Sequence, residues 1–150
     1  VHIVTWSETH DLSDMPTYQH TAINRMSEAA GEQVYRKWNT GMDVCPELAP
    51  LDNEPVIPKR TGSGFISSML PEVLRYGGVD TVLLTGVNTN GCVFETACGG
   101  RNMDFKQILV SDCTACFDPM LQEEAEVWIN RHFANVVTTE QVIKLLHAGK

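Results

Sequence analysis

No apolar run in this sequence approaches the ~20 residues that a membrane-spanning helix needs, and no secretory or transit peptide opens it. Basic residues are scarce. Eleven Lys and Arg against nineteen Asp and Glu give a net charge of −8, which argues against a general nucleic-acid or anionic-membrane role. A disulfide pattern is lacking too. Cys45, Cys92, Cys98, Cys113 and Cys116 are odd in number and irregularly spaced, so they do not read as a disulfide framework, and a reducing cytoplasmic setting fits better. Cys113 and Cys116 form a CxxC. It has no second pair and no neighbouring histidines, so it reads as small residues packed at a strand end rather than a zinc site. There is no internal repeat and no low-complexity linker. There is also no initiator methionine: Val1 to Trp6 reads as a strand that begins abruptly, and we expect the start of the chain to be missing.

What is present is an alternation of strands and helices. With 150 residues the chain can build one domain around a real core. The first forty-odd residues are the least patterned; Thr17 to Gly31 reads as a helix or a structured loop. Pro46, Pro50, Pro55 and Pro58 then break up a connection. Pro55-Val56-Ile57 is a short strand. Ile66, Met69, Leu70, Val73 and Leu74 fall at helical spacing before Gly77-Gly78. Thr81 to Leu84 is an apolar strand. Asn90 to Met103 suits a helix whose small residues, Ala97 and Gly100, permit close packing on a sheet. Gln107 to Val110 is the next strand. Asp118-Pro119 starts a helix whose inner face is Leu121, Ala125, Trp128 and His132. Asn135 to Val137 is a last strand, and Thr138 with Gln141 forms a capping box ahead of Val142, Leu145 and Leu146. This order predicts a mostly parallel sheet with helices on both faces. Sites in such sheets form beyond the carboxyl ends of the strands.

Two segments of special composition lie at such ends, Pro58 to Phe65 and Gly86 to Cys92. Cys92 follows a buried strand in a Gly-containing turn near a helix start. Free backbone N–H groups and the helix dipole there favour a thiolate, and the same N–H groups can bind the oxyanion of a tetrahedral intermediate. The plainer alternative is a small buried apolar cysteine. Lys59 also follows a strand, and a cation beside a thiol lowers the thiol's pKa. Its plainer alternative is a solvated surface lysine.

Val79-Asp80-Thr81-Val82-Leu83-Leu84-Thr85-Gly86-Val87-Asn88-Thr89-Asn90-Gly91-Cys92-Val93, with Thr96-Ala97 beyond it, resembles the isochorismatase-like cysteine hydrolases. The family's lysine segment has its likeness in Ile57-Pro58-Lys59-Arg60 followed by Ser63-Gly64-Phe65, and the 33-residue separation of Lys59 and Cys92 is typical of the family. The likeness runs from about Asp43 to Leu146. Asp11 to Asp14 and Pro46 to Pro50 resemble the biuret, ureidoacrylate and N-carbamoylsarcosine amidohydrolase branch more than the nicotinamidases.

The resemblance implies a three-layer α/β/α domain lacking its first strand. It implies cysteine-dependent hydrolysis of a carbon–nitrogen bond in a small amide or ureido compound, by a homo-oligomer, through a thioester. Cys92 is then the nucleophile and Lys59 its cationic partner. A non-proline cis peptide joining Val87 to Asn88 aims the Asn88 N–H, beside that of Cys92, at the oxyanion. Phe65 is a pocket-wall candidate, although core packing accounts for it equally. The family's proton-carrying aspartate follows its first strand. Asp11, Asp14 and Asp43 do not match it, so it is expected before Val1, on a strand lying between Val1–Trp6 and Thr81–Leu84. Nicotinamidases hold a metal through an Asp-x-His pair. Thr5 to His10 lacks one, His2, His10 and His20 read as ordinary residues, and neither metal nor other cofactor is expected. Two other readings remain open: a non-catalytic binding or assembly protein without the aspartate, and a true isochorismatase, which Cys92 argues against.

Overall fold

The computed structural model describes residues 1–9, 11–33 and 43–148. They form two compact units, Val1–Leu70 and Pro71–Lys150. Every strand ladder in both is parallel.

In the first unit β1 (His2–Thr5) pairs with β2 (Val56–Lys59), so that Lys59 ends β2 opposite Thr5. The segment undecided between helix and loop is a helix, α1 (Thr17–Ala30). Pro16 precedes it, and Gly31 ends it at φ 71°, a left-handed C-cap conformation that glycine adopts without penalty. Ile23 on this helix packs with Leu12 and Met15 as a small buried cluster.

The second unit carries α2 (Leu70–Tyr76, which begins on the last residue of the first), β3 (Thr81–Val87), α3 (Phe94–Asn102), β4 (Lys106–Ala115), α4 (Pro119–His132), β5 (Asn135–Val137) and α5 (Thr139–Ala148). The sheet order is β3-β4-β5. Its core joins Leu84 and Leu109 on the strands to Val93, Ala97, Ile129 and Ala134. Ala97, Gly99 and Gly100 are buried, so the small face of α3 packs closely. Gln107 ties the layers with its side-chain amide, which donates to the carbonyls of Ala97 at 2.7 Å and Phe133 at 3.3 Å. Asp118 caps α4 by accepting from the Met120 N–H at 2.9 Å. At α5, the Thr138 N–H donates to Gln141 Oε1 at 2.8 Å and the Gln141 N–H returns to Thr138 Oγ1 at 3.4 Å.

Several faces differ from the sequence-based expectation. The helix expected from Ile66 starts only at Leu70, and Ile66 and Met69 are exposed. On α4 the buried residues are Ala125 and Ile129. Leu121 and Trp128 are exposed, and Trp128 stacks on His132 at the helix flank. On α5 only Val142 is buried, while Leu145 and Leu146 are exposed. The helix expected from Asn90 is divided: a one-turn π-helix, Thr89–Val93, precedes α3.

Candidate active-site turn and its neighbours

The turn that carries Cys92 grows out of β3. Gly86 sits at φ 109°, and the Val87–Asn88 peptide is cis, at the position where the family resemblance expects one. The Asn88 carbonyl then accepts from the N–H groups of Gly91 at 3.0 Å and Val93 at 3.2 Å. Gly91 departs from helical geometry (φ −126°, ψ −110°), so the chain kinks immediately before Cys92. The Phe94 N–H bonds back to the carbonyls of Gly91 and Thr89. Buried Thr89 and Val93 pin the turn to the core, leaving Cys92 half-buried between them and α3. Beyond Cys92, the Thr96 hydroxyl donates to its carbonyl at 2.6 Å. Val87, Asn88 and Cys92 are thus brought together on one strand-to-helix turn.

The two sulfurs of the CxxC have separate partners. Cys113 Sγ lies 3.3 Å from the Thr139 hydroxyl, and Cys116 Sγ is hydrogen-bonded to Asn90. All five cysteines are free thiols. Burial pushes the Cys98 thiol up, and the nearby Glu95 adds to this.

Within the first unit, Lys59 is no solvated surface lysine. It is 5% exposed, and its ammonium donates to the carbonyls of Thr61 at 2.7 Å and Gly62 at 2.9 Å. Phe65 is 2% exposed, a packing residue of the segment after β2. Next to Lys59, Arg60 donates through Nε to Asp14 Oδ2 at 2.9 Å. Asp14 also accepts from the Ser7 hydroxyl at 2.6 Å, the Thr9 hydroxyl at 2.9 Å and the Glu8 N–H at 3.0 Å. Partial burial pushes this carboxyl up, but the donors from Ser7, Glu8, Arg60 and Thr9 outweigh it and hold Asp14 well below the usual carboxylate range. The sequence reading missed this Ser7–Thr9–Asp14–Arg60 network; the signal available to it was an Asp within a Ser/Thr-rich loop. Asp11 is exposed and accepts from the Ser13 N–H.

His2 pairs with Glu54 at 3.1 Å, and His20 Nε2 lies 2.9 Å from the Asp11 carbonyl oxygen. His10 lies outside the described residues. Among the described residues no three His, Cys, Asp or Glu side chains cluster in a way that could hold a metal ion, and no helix is long and apolar enough to cross a membrane.

A parallel α/β fold with a cysteine on the turn after β3 defines a class, and comparison with known proteins identifies it. The isochorismatase domain matches residues 3–141, and the chain belongs to the isochorismatase family. It is 32% identical over 105 residues to maleamate amidohydrolase of Pseudomonas putida, covering 68% of this chain and 48% of that protein. It is 31% identical over 107 residues to ureidoacrylate amidohydrolase RutB of Azorhizobium caulinodans, covering 71% of this chain and 47% of that one. The chain thus spans about half the length of these curated relatives. Among solved structures, an isochorismatase-like hydrolase from Alkaliphilus metalliredigens superimposes with a TM-score of 0.78 at 30% identity, over 97% of this chain and 71% of that one.

Proposed function

We propose that this chain carries the nucleophile of a cysteine hydrolase that cleaves a carbon–nitrogen bond in a small amide or ureido compound. The observation that carries the reading is the turn from Val87 to Phe94, which sets Cys92 between a parallel strand and a helix start. In the proposed reaction the Cys92 thiolate adds to the substrate carbonyl carbon. The N–H groups of Asn88 and Cys92 receive the oxyanion, ammonia or an amine leaves with a proton, and water hydrolyses the thioester. Within the turn the N–H groups of Gly91, Val93 and Phe94 are engaged, and that of Asn90 is held by Cys116. The family resemblance gives Lys59 the part of the cation that favours the thiolate. The names of the two amidohydrolase relatives support an amide or ureido substrate.

The proton carrier of this scheme is the family's aspartate, which none of Asp11, Asp14 and Asp43 matches. Asp14 is a poor candidate, because four donors hold it ionised and one of them is Arg60. The same observation favours the second reading, a non-catalytic binding or assembly protein, should no other aspartate serve.

Ammonia release from maleamate, ureidoacrylate, biuret, N-carbamoyl amino acids and nicotinamide, measured on the full-length protein, separates the two. We expect turnover of at least one of these, abolished in Cys92→Ala and Cys92→Ser with circular dichroism unchanged. Near-wild-type turnover in either variant would exclude the thioester route. Silence on every substrate favours the binding protein. Iodoacetamide should label Cys92 ahead of Cys98, whose thiol is pushed up by burial, and Lys59→Met should slow that labelling.

A further inference from the structure

The parallel register between β3 and β4 steps abruptly. Leu84 faces Leu109, an offset of 25 residues, but Gly86 faces Thr114, an offset of 28. β4 therefore inserts three extra residues beside the end of β3, where Gly86 takes up its positive φ. Three is also the spacing of the CxxC. Without the step, Cys113 would stand opposite Asn88. With it, Cys113 moves back toward Thr139, and Cys116 follows Ala115, the partner of Val87.

There the Cys116 thiol makes two bonds to one residue. It accepts from the Asn90 N–H at 3.3 Å and donates to Asn90 Oδ1 at 3.2 Å. Asn90 precedes Gly91, the residue with non-helical geometry, and Gly91 precedes Cys92. Glycine leaves that kink unrestrained by any side chain, so the conformation in which the chain enters Cys92 depends on what is tied on either side of it. On one side the Thr96 hydroxyl holds the Cys92 carbonyl; on the other Cys116 holds Asn90.

We propose that Cys116 is a positioning residue for the nucleophile: its Sγ clamps Asn90 and so fixes the turn that aims Cys92 and its N–H. This rests on the reading of Cys92 as the nucleophile. The clamp requires a group that accepts and donates at once, which a thiol or a hydroxyl does and a methyl does not.

The test is the rate of Cys92 alkylation by iodoacetamide in the full-length protein, read by peptide mapping across a pH series. Cys116→Ala should slow Cys92 labelling at neutral pH about tenfold, roughly one hydrogen bond's worth, and move the pH midpoint of labelling upward. Cys116→Ser should restore most of the rate. Asn90→Ala keeps the N–H but loses Oδ1, so it should slow labelling by less than Cys116→Ala and add nothing to it in the double variant. Wild-type labelling in Cys116→Ala overturns the proposal, as does a Cys116→Ser protein no faster than the alanine variant. Should Cys116→Ala lose its circular dichroism signal, Asn90→Ala decides: a wild-type rate and midpoint there overturn the clamp. Ammonia release by Cys92→Ala tests the nucleophile separately. Turnover retained there sinks that reading whatever Cys116 does. An inactive Cys92→Ala beside unchanged labelling in Cys116→Ala sinks the clamp alone.

Discussion

Asp14 and Lys59 are both charged groups held by several polar partners, yet their surroundings give them different parts. The Asp14 carboxylate is saturated by donors from the loop after β1 and from Arg60 after β2, so it fastens two chain segments together. Its folded-state pKa is depressed, and the sign of the linkage follows. The stabilisation is fully present above the unfolded value, about 3.9, and is lost as pH falls through the folded value. Asp14→Asn should therefore cost about 1–2 kcal/mol near pH 7, with the gap to wild type constant from about pH 5 to 8 and shrinking below about pH 4. Urea midpoints across that range check it; a gap that widened on acidification would contradict the network. The sequence showed Asp14 as one acid among nineteen Asp and Glu, because a donor set drawn from Ser7, Thr9 and Arg60 exists only once β1 and β2 are paired.

At the scale of elements, the strand-helix alternation was legible and the boundaries were not, for reasons visible in particular residues. The capping signals at Asp118 and at Thr138 with Gln141 were read correctly because they are local hydrogen bonds. The start of α2 was misplaced because side chains between Thr61 and Ser68 compete for backbone groups. The Thr61 hydroxyl donates to the carbonyls of Ser63 and Ile66, the Ser68 hydroxyl donates to the Gly64 carbonyl, and the Leu70 N–H donates to Ser68 Oγ. β4 runs on through polar Ser111 to Ala115, five residues past the expected end, because Thr114 and Ala115 pair again with Gly86 and Val87 of β3, so backbone bonding rather than hydrophobicity sustains it. At the candidate site, the Val87–Asn88 cis bond and the place of Cys92 on the turn after β3 were legible from the motif. The Cys116 contact was not, since it depends on a register step no periodicity reveals. The small face of α3 was legible, and it carries a prediction. Ala97 is fully buried among Leu84, Leu109 and Ile129, so Ala97→Leu should destabilise by about 1–3 kcal/mol through overpacking. A urea midpoint equal to wild type would mean that α3 stands further off the sheet than its buried glycines imply.

Across the whole molecule the two units differ in the sheets they build. The second unit joins three parallel strands to a cluster of six buried residues, with Val82, Phe94, Phe133 and Val136 packed against it. Among the described residues the first unit shows a two-stranded ladder, a buried cluster of Leu12, Met15 and Ile23, and buried Ile57 and Phe65. A two-stranded sheet is marginal in isolation, whereas three strands with a covered apolar face sustain themselves. Local opening free energies follow buried apolar contact, so the units should open separately rather than together. Hydrogen exchange followed by mass spectrometry should find the amides of β1 and α1 exchanging well before those of β4, the strand paired on both edges and containing fully buried Leu109. The loop held by Asp14 provides an internal control. In Asp14→Asn the exchange of β1 and of residues 7–14 should accelerate, while β4 keeps its wild-type protection. Equal protection of β1 and β4, or acceleration of both by the Asp14 substitution, would show that the chain opens as one cooperative body and that its two sheets share their stability.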